Sequence, residues 1–262
     1  MDNHQNTSPI GVFDSGVGGI SVLAELVKNL PREKYIYLAD SANAPYGTKD
    51  CEYVREISLN AAGILYDRGV KALVVACNSA TSVAINNIRE QFDIPVIGME
   101  PALKPAVEMG GNGAIVVMAT PLTLKEEKFN NLFHKFNLEA SIISLPCEGL
   151  MELIESEAGM TDIVRYLKGL FQNLPVNQLS TVVLGCTHYC FIRNEISTVA
   201  GPAVKIIDGN TGTVRQLERT LNSLNLLAPP GKSKPSGQVE FLTTGDRERI
   251  IPMCERFLQK SL

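Results

Sequence analysis

The sequence lacks the features that mark membrane, secreted and nucleic-acid-binding proteins. None of its apolar runs approaches the roughly 20 residues that a helix needs to cross a bilayer. The first residues, MDNHQNTSPI, are polar and contain no basic flank followed by an apolar run, so we expect no secretory signal. Lysine and arginine form no cluster, and the net charge is −4. We therefore expect a cytoplasmic protein without a membrane or nucleic-acid partner.

Cysteine is scarce as well. Six cysteines among 262 residues are too few for a disulfide framework, and the cytosol keeps thiols reduced. The hydrophobic fraction of 45% and the charged fraction of 20% are typical of a globular chain with a substantial core. We therefore expect a globular protein whose thiols are free.

Short apolar runs are present through most of the chain, and they alternate with stretches of helical period. The runs lie at residues 10–13, 35–39, 72–76, 96–99, 114–119, 141–145, 181–185 and 204–208. Strands that alternate with helices form βαβ units. The pattern predicts an α/β protein with doubly wound parallel sheets.

The strand ends recur at similar spacing in the two halves of the chain. Cys77 lies 62 residues after Ser15, and Cys186 lies 66 residues after Thr120. We predict two pseudo-symmetric domains, the first formed by 1–98 with 209–262 and the second by 99–208. The stretch 228–237 is rich in proline, glycine, lysine and serine, which predicts an exposed loop before a last strand of the first domain. Because ligands bind beyond the carboxyl ends of parallel strands, we expect the active site in the cleft between the domains.

Two of the apolar runs end at a cysteine, in ACNSATS and in GCTHY. A single cysteine in such a place is usually a small buried hydrophobic residue. Here Cys77 precedes Asn78-Ser79 and Cys186 precedes Thr187-His188, which are residues able to open a helix. A helix N-terminus stabilises a thiolate and lowers the pKa of the thiol. The paired placement therefore favours a chemical role.

Two facing thiols can form a disulfide, hold a metal or act as two bases on one substrate. The spacing of Cys186, His188 and Cys190 matches ordinary zinc sites poorly, and we expect no metal. A redox pair is typically a CxxC motif, which the sequence lacks. Inversion of a stereocentre needs a base on each face of the carbon. A duplicated fold with one thiol in each half supplies that arrangement.

Other polar residues follow the predicted strands and are candidates for ligand contacts. Asp14-Ser15 opens the glycine-rich turn DSGVGG, which is either a tight turn or an anion site. The loop with Tyr46-Gly47 either reverses the chain or presents a phenol and backbone N–H groups. Thr120 and Thr123 either cap a helix or bind a carboxylate.

Together these motifs resemble one family, the glutamate racemases, which are cofactor-independent members of the aspartate/glutamate racemase superfamily. The resemblance spans nearly the whole chain, through the stretches GVFDSGVGG, ADSANAPYGTK, ACNSATS, GCTHY, DGNTGTVRQ and LTTGD. It implies two pseudo-symmetric α/β domains with the site between them. It also implies interconversion of L- and D-glutamate for peptidoglycan synthesis, without a cofactor, commonly in a homodimer.

The resemblance assigns roles to individual residues. It implies that Cys77 acts on the α-proton of D-glutamate and Cys186 on that of L-glutamate. Asp14 and His188 assist the thiols, and Glu155 supports His188. Substrate contacts are implied for Asp14, Ser15, Tyr46, Gly47, Asn78, Ser79, Thr187 and His188, with Thr120 and Thr123 nearby. Two positions depart from the family, since Ser79 replaces the usual threonine and Glu148 a usual proline.

No lysine lies in a context typical of a pyridoxal Schiff base, so we expect no cofactor. Two alternatives remain at this point. One is a racemase or isomerase of another small acidic substrate, such as aspartate, in the same superfamily. The other is a module that binds an acidic ligand or a metal without catalysis, although such a module needs no paired thiols.

Overall fold

The structure is a computed structural model, which describes residues 5–110, 113–136, 140–229 and 238–262. The predicted loop at 228–237 lies largely outside this part of the chain. Nine strands are described: β1 Ile10–Asp14, β2 Tyr35–Ala39, β3 Ala72–Val75, β4 Val96–Gly98, β5 Ala114–Ala119, β6 Ile142–Pro146, β7 Leu179–Gly185, β8 Lys205–Asp208 and β9 Val239–Thr243. The first eight confirm the eight apolar runs, with ends shifted by no more than two residues.

The described helices follow the strands in the predicted alternation. They are α1 Ile20–Asn29, α2 Cys51–Asp67, α3 Asn78–Gln91, α4 Leu103–Glu108, α5 Pro121–Lys125, α6 Glu127–Phe136, α7 Leu150–Glu155, α8 Met160–Phe171, α9 Arg193–Ala200, α10 Asn210–Ser223 and α11 Arg247–Ser261. Short 3-10 helices span Gln5–Thr7, Ser41–Asn43, Val176–Gln178 and Thr187–Ile192. Within the described ranges, no helix is both long and apolar enough to cross a membrane.

The strands form two parallel sheets with the same internal order. The first sheet has the order β4-β3-β1-β2-β9. The second, read from the corresponding edge, has the order β8-β7-β5-β6. β5 to β8 thus repeat the arrangement of β1 to β4, and β9 adds a fifth strand beside β2. This confirms the predicted pseudo-symmetric α/β fold with two doubly wound sheets.

Each sheet is covered by helices on both faces, which explains why most of its central strands read as continuous apolar runs. All five residues of β1 are buried, and so are all six of β5. On one face of the first sheet, apolar side chains of α1, α10 and α11 form a single core cluster. On the other face, α2 and α3 supply the cluster. We call the first sheet with these helices the first lobe.

The second sheet is covered in the same way. Side chains of α7, α8 and α9 pack on one face, and side chains of α4 and α6 on the other. We call this unit the second lobe. The carboxyl ends of β1, β3, β5 and β7 lead into loops that meet between the lobes, as Asp14 and Thr187 do at 3.1 Å between Oδ2 and Oγ1.

Candidate active site

A small cavity lies between the lobes, beyond the carboxyl ends of the central strands. Its walls include ten of the residues predicted to form the site: Ser15, Tyr46, Gly47, Cys77, Asn78, Ser79, Thr120, Cys186, Thr187 and His188. The space open to the centre of a water molecule is about 30 Å³. The cavity is therefore narrow, and separation of the lobes or rearrangement of the wall would widen it for a ligand.

Cys77 lies at the end of β3 and caps helix α3. Its Sγ accepts a hydrogen bond from the Ala80 N–H at 3.5 Å and lies 3.6 Å from the Ser15 hydroxyl. Burial raises the pKa of the Cys77 thiol to about 12, and the negative charge of Asp14 adds to the effect. The Ala80 N–H and the Ser15 hydroxyl favour the thiolate but do not compensate. The expectation that the helix N-terminus lowers this pKa is therefore wrong, because burial is the larger effect.

Cys186 follows β7 at the equivalent place in the second lobe. The next residues form the 3-10 helix Thr187–Ile192 rather than an α-helix, and Cys186 makes no cap bond with its side chain. Its Sγ lies 3.8 Å from Nδ1 of His188. The second thiol therefore lies beside an imidazole.

His188 in turn contacts Glu155, the last residue of α7. His188 Nε2 lies 2.8 Å from Glu155 Oε1, and the histidine side chain is buried. Burial disfavours the imidazolium, but the bonds to Cys186 and Glu155 and their negative charges outweigh it and hold the pKa of His188 well above its usual value. Burial opposes ionisation of Glu155 too, yet His188 keeps the pKa of this carboxyl low. The pair is therefore ionic, with the imidazolium directed at Cys186.

Asp14 lies behind the cavity wall and not in it. Its Oδ1 accepts from the Gly16 N–H at 3.0 Å, and its Oδ2 accepts from the Thr187 hydroxyl at 3.1 Å. Burial raises the pKa of Asp14, partly opposed by the His188 charge and by these two hydrogen bonds. Glu155 also crosses between the lobes, because its Oε1 accepts from the Val17 N–H at 3.2 Å. Both carboxyl groups thus join the glycine-rich turn of the first lobe to the second lobe.

Three hydroxyl groups form a second contact between the lobes. Ser79 Oγ lies 2.9 Å from Thr120 Oγ1 and 3.2 Å from Thr123 Oγ1, and the two threonine oxygens are 2.9 Å apart. Thr120 also caps helix α5 by accepting from the Thr123 N–H. Thr123 is buried behind Thr120 and does not reach the cavity wall. These hydroxyls bond to one another, so a bound carboxylate must replace those bonds.

Asn78 and Tyr46 differ in what they offer to a ligand. Asn78 is buried in the wall, and its Oδ1 has no hydrogen-bond partner among the residues that the structure describes. The Tyr46 hydroxyl instead donates to Asp40 inside the first lobe. Tyr46 and Gly47 both lie in the cavity wall, with the Tyr46 hydroxyl engaged by Asp40.

Sequence reasoning missed several residues of the wall. Cys147 is a third thiol there, and Glu148 and Glu152 are exposed carboxylates. Cys147 follows directly after β6, so its place after a strand was the signal that could have identified it. Within the described ranges, no group of three or more His, Cys, Asp or Glu side chains is arranged to hold a metal ion.

Comparisons with known proteins agree with this geometry. The profile of a family described as Asp/Glu/Hydantoin racemase matches residues 10–217. A glutamate racemase of Clostridium botulinum (strain Kyoto / Type A2) is 53% identical over 249 residues, which cover 95% of this chain and 96% of the relative.

Solved structures of two further relatives superpose on nearly the whole chain. A glutamate racemase isoform of Bacillus anthracis has a TM-score of 0.84 at 29% identity, with 96% of this chain and 94% of the relative covered. The glutamate racemase of Francisella tularensis, solved in complex with D-glutamate, has a TM-score of 0.82 at 30% identity, with 97% and 94% covered. The chain therefore belongs to the Asp/Glu/hydantoin racemase family, and within it to the glutamate racemases.

Proposed function

We propose that this chain interconverts L-glutamate and D-glutamate by proton transfer at the α-carbon between Cys77 and Cys186, without a cofactor. The observation that carries the proposal is the cavity between the lobes, to which each lobe contributes one thiol from the end of an equivalent strand. Family membership supports glutamate as the substrate, because the relatives compared are glutamate racemases and one was solved with D-glutamate.

The reaction removes one proton from the α-carbon and delivers another proton to its opposite face. Starting from D-glutamate, the Cys77 thiolate takes the α-proton and becomes a thiol, and the electron pair stays on the α-carbon. The Cys186 thiol then gives its proton to the opposite face, which yields L-glutamate and a Cys186 thiolate. The reverse reaction starts from Cys186. In both directions, the reacting enzyme has one thiol and one thiolate, with a single proton on the pair.

The surrounding residues prepare this transfer. His188 lies 3.8 Å from Cys186 and can exchange a proton with it, while Glu155 holds the imidazolium. Asp14 fixes Thr187, the residue after Cys186. Hydrogen-bond donors near the substrate carboxylate stabilise the carbanion, and we assign this role to Ser15, Ser79, Thr120 and Thr187. Thr123 supports them from behind the wall.

We assign recognition of the substrate ammonium to Asn78, because its buried Oδ1 lacks a partner among the described residues. A buried acceptor without a donor is unfavourable until a ligand supplies one. Gly47 and Tyr46 complete the wall on the side of the first lobe.

The narrow cavity implies that the lobes move. We propose that they are domains, formed by 1–98 with 209–262 and by 99–208, and that they separate to admit glutamate and close for the transfer. Closure excludes water and so strengthens the electrostatic interactions that act on the carbanion.

We further propose a cytoplasmic homodimer that supplies D-glutamate for peptidoglycan synthesis. The six cysteines, all of which are free, support the cytoplasmic location, because the cytosol keeps thiols reduced. The dimer and the metabolic role rest on the family resemblance. Sedimentation of the purified chain tests the dimer, and a monomer at micromolar concentration would contradict it.

Polarimetry of pure enantiomers tests the function. We expect solutions of pure L-glutamate and of pure D-glutamate to lose their optical rotation and to reach the same racemic composition. Added pyridoxal phosphate should not change the rate. Aspartate is the comparison substrate, since the family description includes aspartate racemases. Faster racemisation of aspartate than of glutamate would show that aspartate, and not glutamate, is the substrate. Binding of either acid without loss of optical rotation would show that the protein is a binding module and not an enzyme.

A further inference from the structure

Asp40 is a buried carboxyl group that the proposed chemistry does not use. It follows β2 at the carboxyl end of the first sheet and is 1% exposed. Its backbone N–H donates to the Asp14 carbonyl oxygen at 2.9 Å, so it lies beside the strand end that carries the site. Buried carboxylates are retained where hydrogen bonds satisfy them. The partners of Asp40 therefore indicate what it holds.

Three neutral side chains donate to Asp40. The Thr244 hydroxyl donates to Oδ1 at 2.6 Å, and the Asn43 amide donates to both oxygens at 3.1 Å. The Tyr46 hydroxyl donates to Oδ2 in a short bond. Burial and the Asp40 charge together raise the pKa of Tyr46, so its hydroxyl keeps the proton that it donates. Asp40 thus joins the turn after β9 to the loop that carries Tyr46.

That loop is also one of the parts of the first lobe that touch the second lobe beside the cavity. The carbonyl oxygen of Gly47 accepts from the Leu122 N–H at 2.9 Å. A side chain at position 47 would overlap Thr120, at 2.5 Å from its Cβ. Tyr46 itself is 1% exposed and lines the cavity. Tyr46 thus directly precedes the residue that packs against Thr120.

We propose that Asp40 is a positioning residue, which holds the Tyr46 hydroxyl so that the Tyr46-Gly47 segment forms the substrate wall against the second lobe. The inference rests on the proposed racemase function. It predicts that loss of the Asp40–Tyr46 bond weakens substrate binding while the proton transfer between the thiols proceeds. Asp40 does not contact the substrate in this account.

The test compares Tyr46→Phe with Tyr35→Phe. Tyr35 is an equally buried tyrosine of the same lobe, whose hydroxyl bonds to the carbonyl oxygens of Leu26 and Leu30 away from the cavity. We expect Tyr46→Phe to raise KM about tenfold with kcat nearly unchanged, the size of effect of one lost bond to a charged group. Tyr35→Phe should lower the melting temperature and leave KM unchanged.

Asp40→Asn is the conservative variant, because its amide oxygen can still accept from Tyr46. It should restore most of the affinity that Asp40→Ala loses. In Tyr46→Phe combined with Asp40→Ala, KM should rise no further than in the worse single variant, since both remove the same bond. If Asp40→Ala does not fold, Tyr46→Phe and Asp40→Asn still decide the question.

The outcomes separate this inference from the proposed function. Racemisation by the wild-type protein tests the function, and calorimetric binding of D-glutamate to the wild type and Tyr46→Phe tests the positioning role independently of turnover. If Tyr46→Phe and Tyr35→Phe share an unchanged KM, an unchanged binding constant and a similar loss of thermal stability, Asp40 is only a structural residue and the inference is overturned.

Discussion

The two halves of the cleft have the same backbone plan and different side-chain surroundings. Cys77 and Cys186 follow equivalent strands, β3 and β7, in sheets of the same order. Cys77 caps an α-helix and contacts the neutral groups of Ala80 and Ser15. Cys186 precedes a 3-10 helix and contacts the imidazole of His188, which is paired with Glu155.

The comparison shows that duplication of the fold determines where each thiol lies but not its protonation state. In the first lobe, burial raises the pKa of Cys77 to about 12, which favours the thiol. In the second lobe, an imidazolium lies beside the thiol. A racemase needs one thiolate and one thiol, and the two thiols reach these states in unequal surroundings.

The largest effect is expected from removal of either thiol. Cys77→Ser and Cys186→Ser should each lower kcat for racemisation about 10²- to 10⁴-fold or more, since each loses one acid/base group. Polarimetry with both enantiomers measures this. Cys254→Ser is the matched control, because Cys254 is a buried thiol in the core of the first lobe. Full turnover in either site variant would break the two-base account.

The next largest effect concerns the second lobe alone. Glu155→Gln removes the charge that holds the His188 imidazolium, and we expect kcat to fall about 10- to 100-fold, a fraction of a full acid/base contribution. Glu218→Gln is the control, since this exposed residue lies on α10 and outside the cavity wall. Equal losses in the two variants would contradict the role of Glu155.

Glu155→Gln should also alter the pH dependence of stability. The raised pKa of His188 stabilises the folded state fully below the unfolded value of about 6.5, and this contribution is lost as pH rises through the raised folded pKa. The lowered pKa of Glu155 stabilises the folded state at pH values above the unfolded pKa of about 4.3. This contribution is lost as pH falls through the folded pKa of Glu155. Urea denaturation should therefore show the largest wild-type advantage between about pH 5 and 6.5. A constant difference from pH 3.5 to 10 would contradict the ionic pair.

A smaller effect is expected at the contact between the two halves. A Cβ at Gly18 would overlap His188 Nδ1 and Thr187 Oγ1, so Gly18→Ala should push the lobes apart next to Cys186. We expect kcat/KM to fall about tenfold, as a small displacement of reacting groups does. Gly212→Ala in α10 is the control, because nothing lies within 4 Å of its added Cβ. Unchanged kinetics in Gly18→Ala would show that the lobes do not need this close approach.

The smallest effect on the fold is a gain of stability in Asp14→Asn. Burial raises the pKa of Asp14, so the ionised carboxyl destabilises the folded state at neutral pH. The gain should be present at pH 7 and vanish below about pH 3.9, where the unfolded chain is also protonated. Thermal unfolding measures it, together with a loss of activity because Thr187 loses its charged partner. A lower melting temperature at pH 7 would show that the hydrogen bonds of Asp14 outweigh its desolvation.

Much of the fold and part of the site could be predicted from the sequence. Parallel strands that are buried on both faces produce apolar runs, so all eight runs were recognisable, and strand ends located Cys77 and Cys186. Glu155 could not be chosen on chemical grounds among the acidic residues of 148–157, because its selection depends on a contact with His188 33 residues away. Only the family resemblance pointed to it.

Burial and side-chain direction were beyond sequence reasoning. The position of Cys77 at a helix N-terminus suggested a lowered pKa, but desolvation depends on every atom around the thiol. The loop of Tyr46 suggested a phenol at the sheet edge, but nothing in the pattern showed that its hydroxyl donates to Asp40, which the turn at Thr244 also contacts. The first difference arises from the packing of distant segments around the thiol, and the second from a nearby carboxyl group that a distant turn also contacts.

The central claim is that one sulfur from each lobe serves one face of the same carbon. The most direct measurement is α-deuterium incorporation from heavy water into each enantiomer by the two single variants. Cys77→Ser should exchange the α-proton of L-glutamate and leave D-glutamate unlabelled, and Cys186→Ser should do the reverse. Labelling of both enantiomers at equal rates in either variant would contradict the account.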